Sequence, residues 1–266
     1  MIAGAEANRG HPLPREIAEG VFWLGDCLVT PFIEGKFLHS YLSTYLVAGA
    51  ERSVLVDAGH AKDFHTIVQQ IEELADRGVP RPSHLFLTHP EVPHAGPVGQ
   101  LMSHLPEAIC CGDVSDLHLV FPQYEDRLLP MTVGDSLDLG GVEFEVVPAV
   151  FRDYLTTVWG FDASRRVLFT GDGFSYAHYH EAGQCGLLAE EVPALEVPAM
   201  TAAFTEAAFY WSRFTDLEPF IHRLDQMVFE ELGASVVAPA HGLPIGDPEA
   251  TFAYIREGLR YRSKAA

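Results

Sequence analysis

The feature that most limits the fold of this chain is a set of short apolar runs, each ending in an acid or a histidine. Leu85-Phe86-Leu87 leads into Thr88-His89-Pro90-Glu91-Val92-Pro93-His94-Ala95-Gly96. The strand-like stretch at 142–147 is followed by Asp153, Leu168-Phe169-Thr170-Gly171 by Asp172, and Val237-Ala238-Pro239-Ala240 by His241. Runs of this length and composition read as buried strands. Rigid strands hold the loops that carry chemistry in layered folds, so function concentrates at their ends. Two imidazoles and a carboxylate on a tight turn can converge on one point. A metal ion needs that, because its ligands approach within roughly 2.0–2.3 Å from several directions at once. A solvated loop or a turn cap accounts for any one of these sites taken alone. Four in one chain point to a shared site.

The rest of the chain alternates strand and helix signals. Further strand-like runs lie at 20–25, 41–47, 53–57, 157–161, 167–169 and 235–239, and the run Ser53-Val54-Leu55-Val56-Asp57 again ends in an acid. Helical periods occupy 63–77, with Ile67, Ile71 and Leu74 on one face, then 99–104, 201–232 with a break near Pro219, and 248–260. Residues 1–15 are polar and read as a loose arm. No linker, repeat or low-complexity run divides the sequence, so residues 1–266 read as one α/β domain with two sheets face to face and helices outside. Trp159, Tyr210 and Trp211 are expected in its core. A hydrophobic content of 48% is enough to fill such a core.

A formal net charge of -20 argues against nucleic acid or an anionic membrane as a partner, since both would be repelled. No apolar run is long enough to span a bilayer, and no signal peptide is evident, so the expected location is the cytoplasm. The four cysteines, Cys27, Cys110, Cys111 and Cys185, show no CxxC spacing and read as free thiols in a reducing compartment.

The pattern His89-x-Glu91-x-x-His94, followed by Asp153, Asp172 and His241, resembles the metallo-β-lactamase superfamily. More narrowly, it is similar to the diiron domain of flavodiiron proteins and their stand-alone oxygen-binding diiron relatives. Most hydrolases of the superfamily carry His-x-His-x-Asp-His, whereas the diiron branch places Glu at the second position, as Glu91 does here. The interval from Asp153 to Asp172 also matches that branch, and His39-Ser40-Tyr41-Leu42 resembles its Asn-Ser-Tyr-Leu strand. The resemblance runs from about residue 16 to 255. Two positions depart from it. Pro93 stands where the branch has Asp and offers no side-chain donor, and Asp153 stands where it has His.

The resemblance implies an αββα four-layer sandwich with metal ligands His89, Glu91, His94, Asp153, Asp172 and His241. Asp172 would bridge two ions, the first also held by His89, Glu91 and Asp153, the second by His94 and His241. Tyr176, His178 and His180, just after the Asp172 loop, are candidates to orient ligands, with His178 and His180 placed at the surface or behind the ligands. Three histidines with three carboxylates suit two iron ions; one iron, manganese or zinc are the alternatives. The implied function is a non-haem diiron oxidoreductase that reacts with or binds dioxygen: an oxidase, an oxygenase or a sensor. Too few residues follow His241 for a flavodoxin domain, and no glycine-rich dinucleotide loop appears, so electrons are expected from a separate redox partner or from a small-molecule substrate. A homodimer is expected from the resemblance. The competing reading is a zinc hydrolase of an ester, lactone or thioester, because zinc cannot change redox state.

Overall fold

The computed structural model describes residues 10–31, 35–174, 178–192 and 197–261. A seven-stranded sheet runs in the spatial order Arg15–Ala18, Val21–Leu24, Thr44–Ala48, Ser53–Val56, Pro82–Leu87, Ile109–Gly112 and Leu128–Pro130. A five-stranded sheet runs Ser136–Asp138, Glu143–Pro148, Val158–Asp162, Val167–Phe169 and Val236–Ala238. A small three-stranded sheet places Phe37–Tyr41 between Tyr179–His180 and Cys27–Pro31.

Strand alternation decides the layering. In Thr44–Ala48, Tyr45 and Val47 enter the core between the sheets, while Leu46 and Ala48 face the opposite way. In Pro82–Leu87, Phe86 points between the sheets and Leu85 and Leu87 point away. The outward side is covered by Phe64–Asp76, through Ile67, Ile71 and Leu74, and by Val98–His104, through Val98, Leu101 and Met102. Ring contacts join the two sheets: Phe86 meets Phe144 at 5.0 Å, and Tyr45 meets Phe169 at 5.6 Å. Gly160 makes room for that packing, since a Cβ there would lie 2.3 Å from the Phe144 ring. The helices Glu218–Asp225 and Pro248–Arg260 cover the second sheet with Ile221, Leu224, Phe252 and Ile255. The result is the expected αββα sandwich.

Several local expectations change. The run at 41–47 is two strands in different sheets, Phe37–Tyr41 and Thr44–Ala48. The chain crosses between them at Leu42 and Ser43, where Leu42 forms an isolated bridge with His241. Ile109–Gly112, a buried strand built from Ile-Cys-Cys-Gly, lacked a recognisable pattern. The helical stretch after residue 200 is four pieces: Val197–Ala208, the 3-10 turn Tyr210–Phe214, Glu218–Asp225 and the wider π-type turn Gln226–Glu231. Pro219 sits in the first turn of the third piece, where its missing N–H costs nothing, so the break falls before it.

The arm expected to be loose is docked wherever it is described. His11 N donates to Cys185 O at 3.2 Å, and Arg15 starts the first strand and pairs with Glu191 at 2.8 Å. Residues 1–9 lie outside the described residues. Trp159 is fully buried, Trp211 is half-buried with its Nε1 donating to Arg152 O, and Tyr210 is exposed and not a core residue. No described helix is long and apolar enough to cross a membrane.

Candidate metal centre

Three strand ends deliver the side chains that converge. Pro82–Leu87 ends at Thr88 and His89, and a single helical turn, Val92–Ala95, then carries His94. Glu91 caps that turn, and Pro93 occupies one of its first two positions, so a proline fits there without loss of a backbone hydrogen bond. Asp172 follows Val167–Phe169 in a turn closed by Gly173 N donating to Thr170 O at 2.8 Å. Gly171 in that turn has φ +52, and a Cβ on it would lie 2.8 Å from Thr88 Oγ1. Only glycine meets both conditions comfortably. His241 follows Val236–Ala238, and its loop is stitched in place by Ala240 N to Gly171 O and Ser43 N to Ala240 O.

The donor atoms of His89, Glu91, His94 and Asp172 all lie within 4.8 Å of one another. His94 Nε2 and His241 Nε2 each lie 3.0 Å from Asp172 Oδ1. His89 Nε2 lies 3.5 Å from both Asp172 Oδ2 and Glu91 Oε2, too far for a good hydrogen bond. That nitrogen is buried and without a hydrogen-bond partner among the described residues. A buried polar atom left this way is costly unless something else binds it. With carboxylates on two sides, the donor set fits a cation.

Charge within the group is balanced by close pairing. Burial opposes ionisation of Asp172, yet His94 and His241 hold its carboxyl well below the usual carboxylate range. Burial also opposes charge on His94, but Asp172 and Asp57 hold its pKa well above that of an ordinary histidine. Glu91 is lowered, first by its interaction with His89. Its side chain is 43% exposed, so the group opens to solvent on that side.

Asp57 is the orienting residue that sequence reading passed over. Its Oδ2 accepts from His94 Nδ1 at 2.9 Å, and its Oδ1 accepts both the backbone N–H and the hydroxyl of Thr88 at 2.9 Å. One buried carboxylate thus fixes the ring of His94, with Nε2 toward the cluster, and the start of the histidine loop. The signal was present in the sequence, as the acid ending a buried apolar strand. The structure holds Asp57 at φ 54, a conformation unusual outside glycine.

Asp153 is not brought into the group. It is exposed, and its Oδ1 accepts the backbone N–H of Tyr154 at 2.9 Å. Desolvation and then Asp172 raise its pKa, while His89 lowers it, which places it at the rim beside the cluster. The reason is local: Phe151 anchors this loop by stacking on Trp211 at 5.9 Å, and the chain turns outward after it. His178 and His180 are both buried, contrary to a surface placement. The ring of His178 packs on those of Phe204 and His241, at 4.5 and 5.4 Å. Burial, then the charge of His241, push its pKa well below that of an ordinary histidine. His180 faces Tyr41 and two cysteines instead. Tyr176 lies outside the described residues.

A family model described as the metallo-beta-lactamase superfamily matches residues 41–241. Among curated proteins, an anaerobic nitric oxide reductase flavorubredoxin from Salmonella arizonae is 25% identical over 245 residues, 85% of this chain and 47% of that protein. A putative diflavin flavoprotein A 3 from Nostoc is 30% identical over 142 residues, 52% of this chain and 24% of that protein. The chain spans about half the length of the flavorubredoxins it matches. Among solved structures, the rubredoxin oxygen:oxidoreductase of Desulfovibrio gigas superposes with a TM-score of 0.71 at 15% identity, covering 93% of this chain and 61% of that one. The flavodiiron protein of Giardia intestinalis gives 0.71 at 16% identity, covering 94% and 59%. At these identities the structural likeness is one of fold.

Proposed function

The chain belongs to the metallo-β-lactamase superfamily, and on that premise we propose that it is a non-haem diiron oxidoreductase that reacts with or binds dioxygen. The observation that carries the reading is the unpartnered Nε2 of His89, set among Glu91, His94 and Asp172, with His241 joined through Asp172. In this reading Asp172 would contribute to holding both ions; His89 and Glu91 would hold one, with Asp153 at the rim, and His94 and His241 would hold the other. Bound iron would supply one-electron redox chemistry and open positions for a diatomic ligand. The protein's part is to fix the imidazoles and exclude water from the buried side. Asp57 holds the ring of His94 in one orientation, and the ring of His178 backs that of His241. Pro93 removes a donor beside His94, which leaves that position with fewer protein ligands. The relatives' printed names speak of flavin, rubredoxin, oxygen and nitric oxide. On this reading electrons reach the site from a redox partner, and the protein works as a cytoplasmic homodimer.

The test is elemental analysis of protein made in iron-sufficient medium, then anaerobic reduction and exposure to dioxygen or nitric oxide. The expected result is about two irons per chain, removed by Asp172→Ala, and a visible spectrum that responds to the gas. Colourless protein in which Asp172→Ala releases zinc, and which hydrolyses an ester, lactone or thioester, overturns the proposal in favour of a hydrolase. Steady turnover with an added electron donor marks an oxidase or oxygenase; reversible binding without turnover marks a sensor.

A further inference from the structure

A second cluster, built from softer atoms, lies on the small three-stranded sheet. His39 pairs directly with Val29 on one side and with His180 on the other. Cys27 lies two residues before Val29, so strand alternation brings Cys27, His39 and His180 to one face of that sheet. Cys185 arrives from the following loop, turned by Gln184 N donating to Glu181 O and held from behind by His11 N on Cys185 O. His180 and Cys185 are buried, and Cys27 and His39 are partly so. The four donor atoms, two sulfurs and two ring nitrogens, lie within 4.8 Å of one another.

The spacings discriminate between explanations. Cys27 Sγ and Cys185 Sγ are 3.7 Å apart. Cys27 Sγ lies 3.2 Å from His39 Nδ1 and 3.6 Å from His180 Nε2, and Cys185 Sγ lies 3.4 Å from His39 Nδ1. A tetrahedral zinc ion with bonds of about 2.3 Å to sulfur and about 2.0–2.1 Å to nitrogen requires edges of about 3.8 Å between sulfurs and about 3.5 Å between sulfur and nitrogen. The four edges match within a few tenths of an ångström. A disulfide would need the sulfurs at about 2.05 Å and has no use for two imidazoles. The two remaining cysteines, Cys110 and Cys111, sit in the apolar cores without such partners.

We propose that Cys27, His39, His180 and Cys185 form a closed Cys2His2 site that binds a structural zinc ion. The claim is independent of what occupies the His89 cluster. Two thiolates select a soft or borderline cation and balance the two positive charges of zinc; four protein ligands leave no open position for chemistry. Binding releases the thiol protons of Cys27 and Cys185 to solvent, and no electron is transferred. The ion would fasten the strands Cys27–Pro31 and Phe37–Tyr41 to Tyr179–His180 and to the loop carrying Cys185.

The experiment adds cobalt(II) to the metal-free full chain under reducing conditions and records the thiolate-to-cobalt charge-transfer absorption, which a cluster without sulfur cannot give. X-ray absorption at the zinc edge of the purified protein then counts the scatterers. The expected result is one thiolate-bound ion per chain, with two sulfurs at about 2.3 Å and two nitrogens at about 2.0–2.1 Å. Cys27→Ser and Cys185→Ser should each lose the charge-transfer band and that zinc, while Cys110→Ser and Asp172→Ala keep both. Should the serine variants fail to fold, the zinc-edge data on the unaltered chain decide alone. A reduced chain with four titratable thiols and no charge-transfer band overturns the proposal. So does a Cys27–Cys185 disulfide in protein isolated under reducing conditions, or a band that persists in both serine variants.

Discussion

The two clusters differ in donor, in exposure and in how their geometry is held. The one around Asp172 uses carboxylates and imidazoles, opens to solvent at Glu91, and gathers its members from the ends of strands in both large sheets. The one around Cys185 uses thiols and imidazoles and takes three of its four members from one face of one small sheet. The first has an orienting carboxylate behind it, Asp57, which grips the ring of His94; in the second, Asp26 accepts the backbone N–H of Cys27 at 2.8 Å. An open group of carboxylates and imidazoles suits exchange with small molecules, and a closed sulfur-containing one suits permanence.

Substitutions can break this contrast. The largest effect belongs to Asp172→Ala, which removes the carboxylate touching His89, His94 and His241. Iron per chain should fall to near zero by elemental analysis, with the cobalt–thiolate band intact; loss of both together would mean the clusters are one cooperative unit. Asp57→Asn keeps the size but weakens the grip on His94 Nδ1. It should lower iron affinity about 10–100-fold in a chelator competition, the usual range for a partner that orients a ligand, and leave zinc unchanged. Asp153→Asn should change iron affinity by less than that, under about tenfold, because the carboxylate sits at the rim. A loss as complete as that of Asp172→Ala would show that the loop swings Asp153 inward when metal binds.

The smallest effect concerns the loop of the thiol cluster. Arg15 holds that loop through Gly186 O at 2.6 Å and pairs with Glu191, whose pKa is lowered to about 2, chiefly by the hydrogen bond from Arg15. A lowered carboxyl pKa stabilises the fold fully above the ordinary glutamate value, and the contribution disappears as pH falls from there to about 2. Glu191 is more than a third exposed, so solvent screening limits the pair to under about 1 kcal/mol. Glu191→Gln should therefore cost little in urea unfolding at neutral pH and nothing measurable near pH 2. A larger neutral-pH cost would mean that the clamp, rather than the donors, shapes the Cys185 loop.

The sequence made the sandwich legible because the strands that build it alternate or run apolar throughout, as Ser53–Val56 and Val167–Phe169 do. It singled out His89, Asp172 and His241, since each follows an apolar run, and Glu91 and His94 by their spacing from His89. Asp57 carried the same mark, yet no spacing tied it to the others; its role depends on a left-handed backbone that aims the carboxylate across to His94. Asp153 also looked the part, and only the outward turn after Phe151 separates it. The thiol cluster was illegible for a different reason. Cys27 and Cys185 are far apart in the chain, and their meeting depends on a strand of two residues that no pattern announces.

That strand, Tyr179–His180, has a consequence of its own. Two rungs, Tyr179 on Ser40 and His180 on His39, are all that fix its position along its neighbour. A slide of one step would turn the neighbouring side chains, rather than His180, toward Cys27. So short a ladder cannot tell one alignment from the next by itself, whereas a four-pronged rivet can. Because His178 leans on His241 just upstream, the rivet would also set the posture of an imidazole at the far end of the same tether.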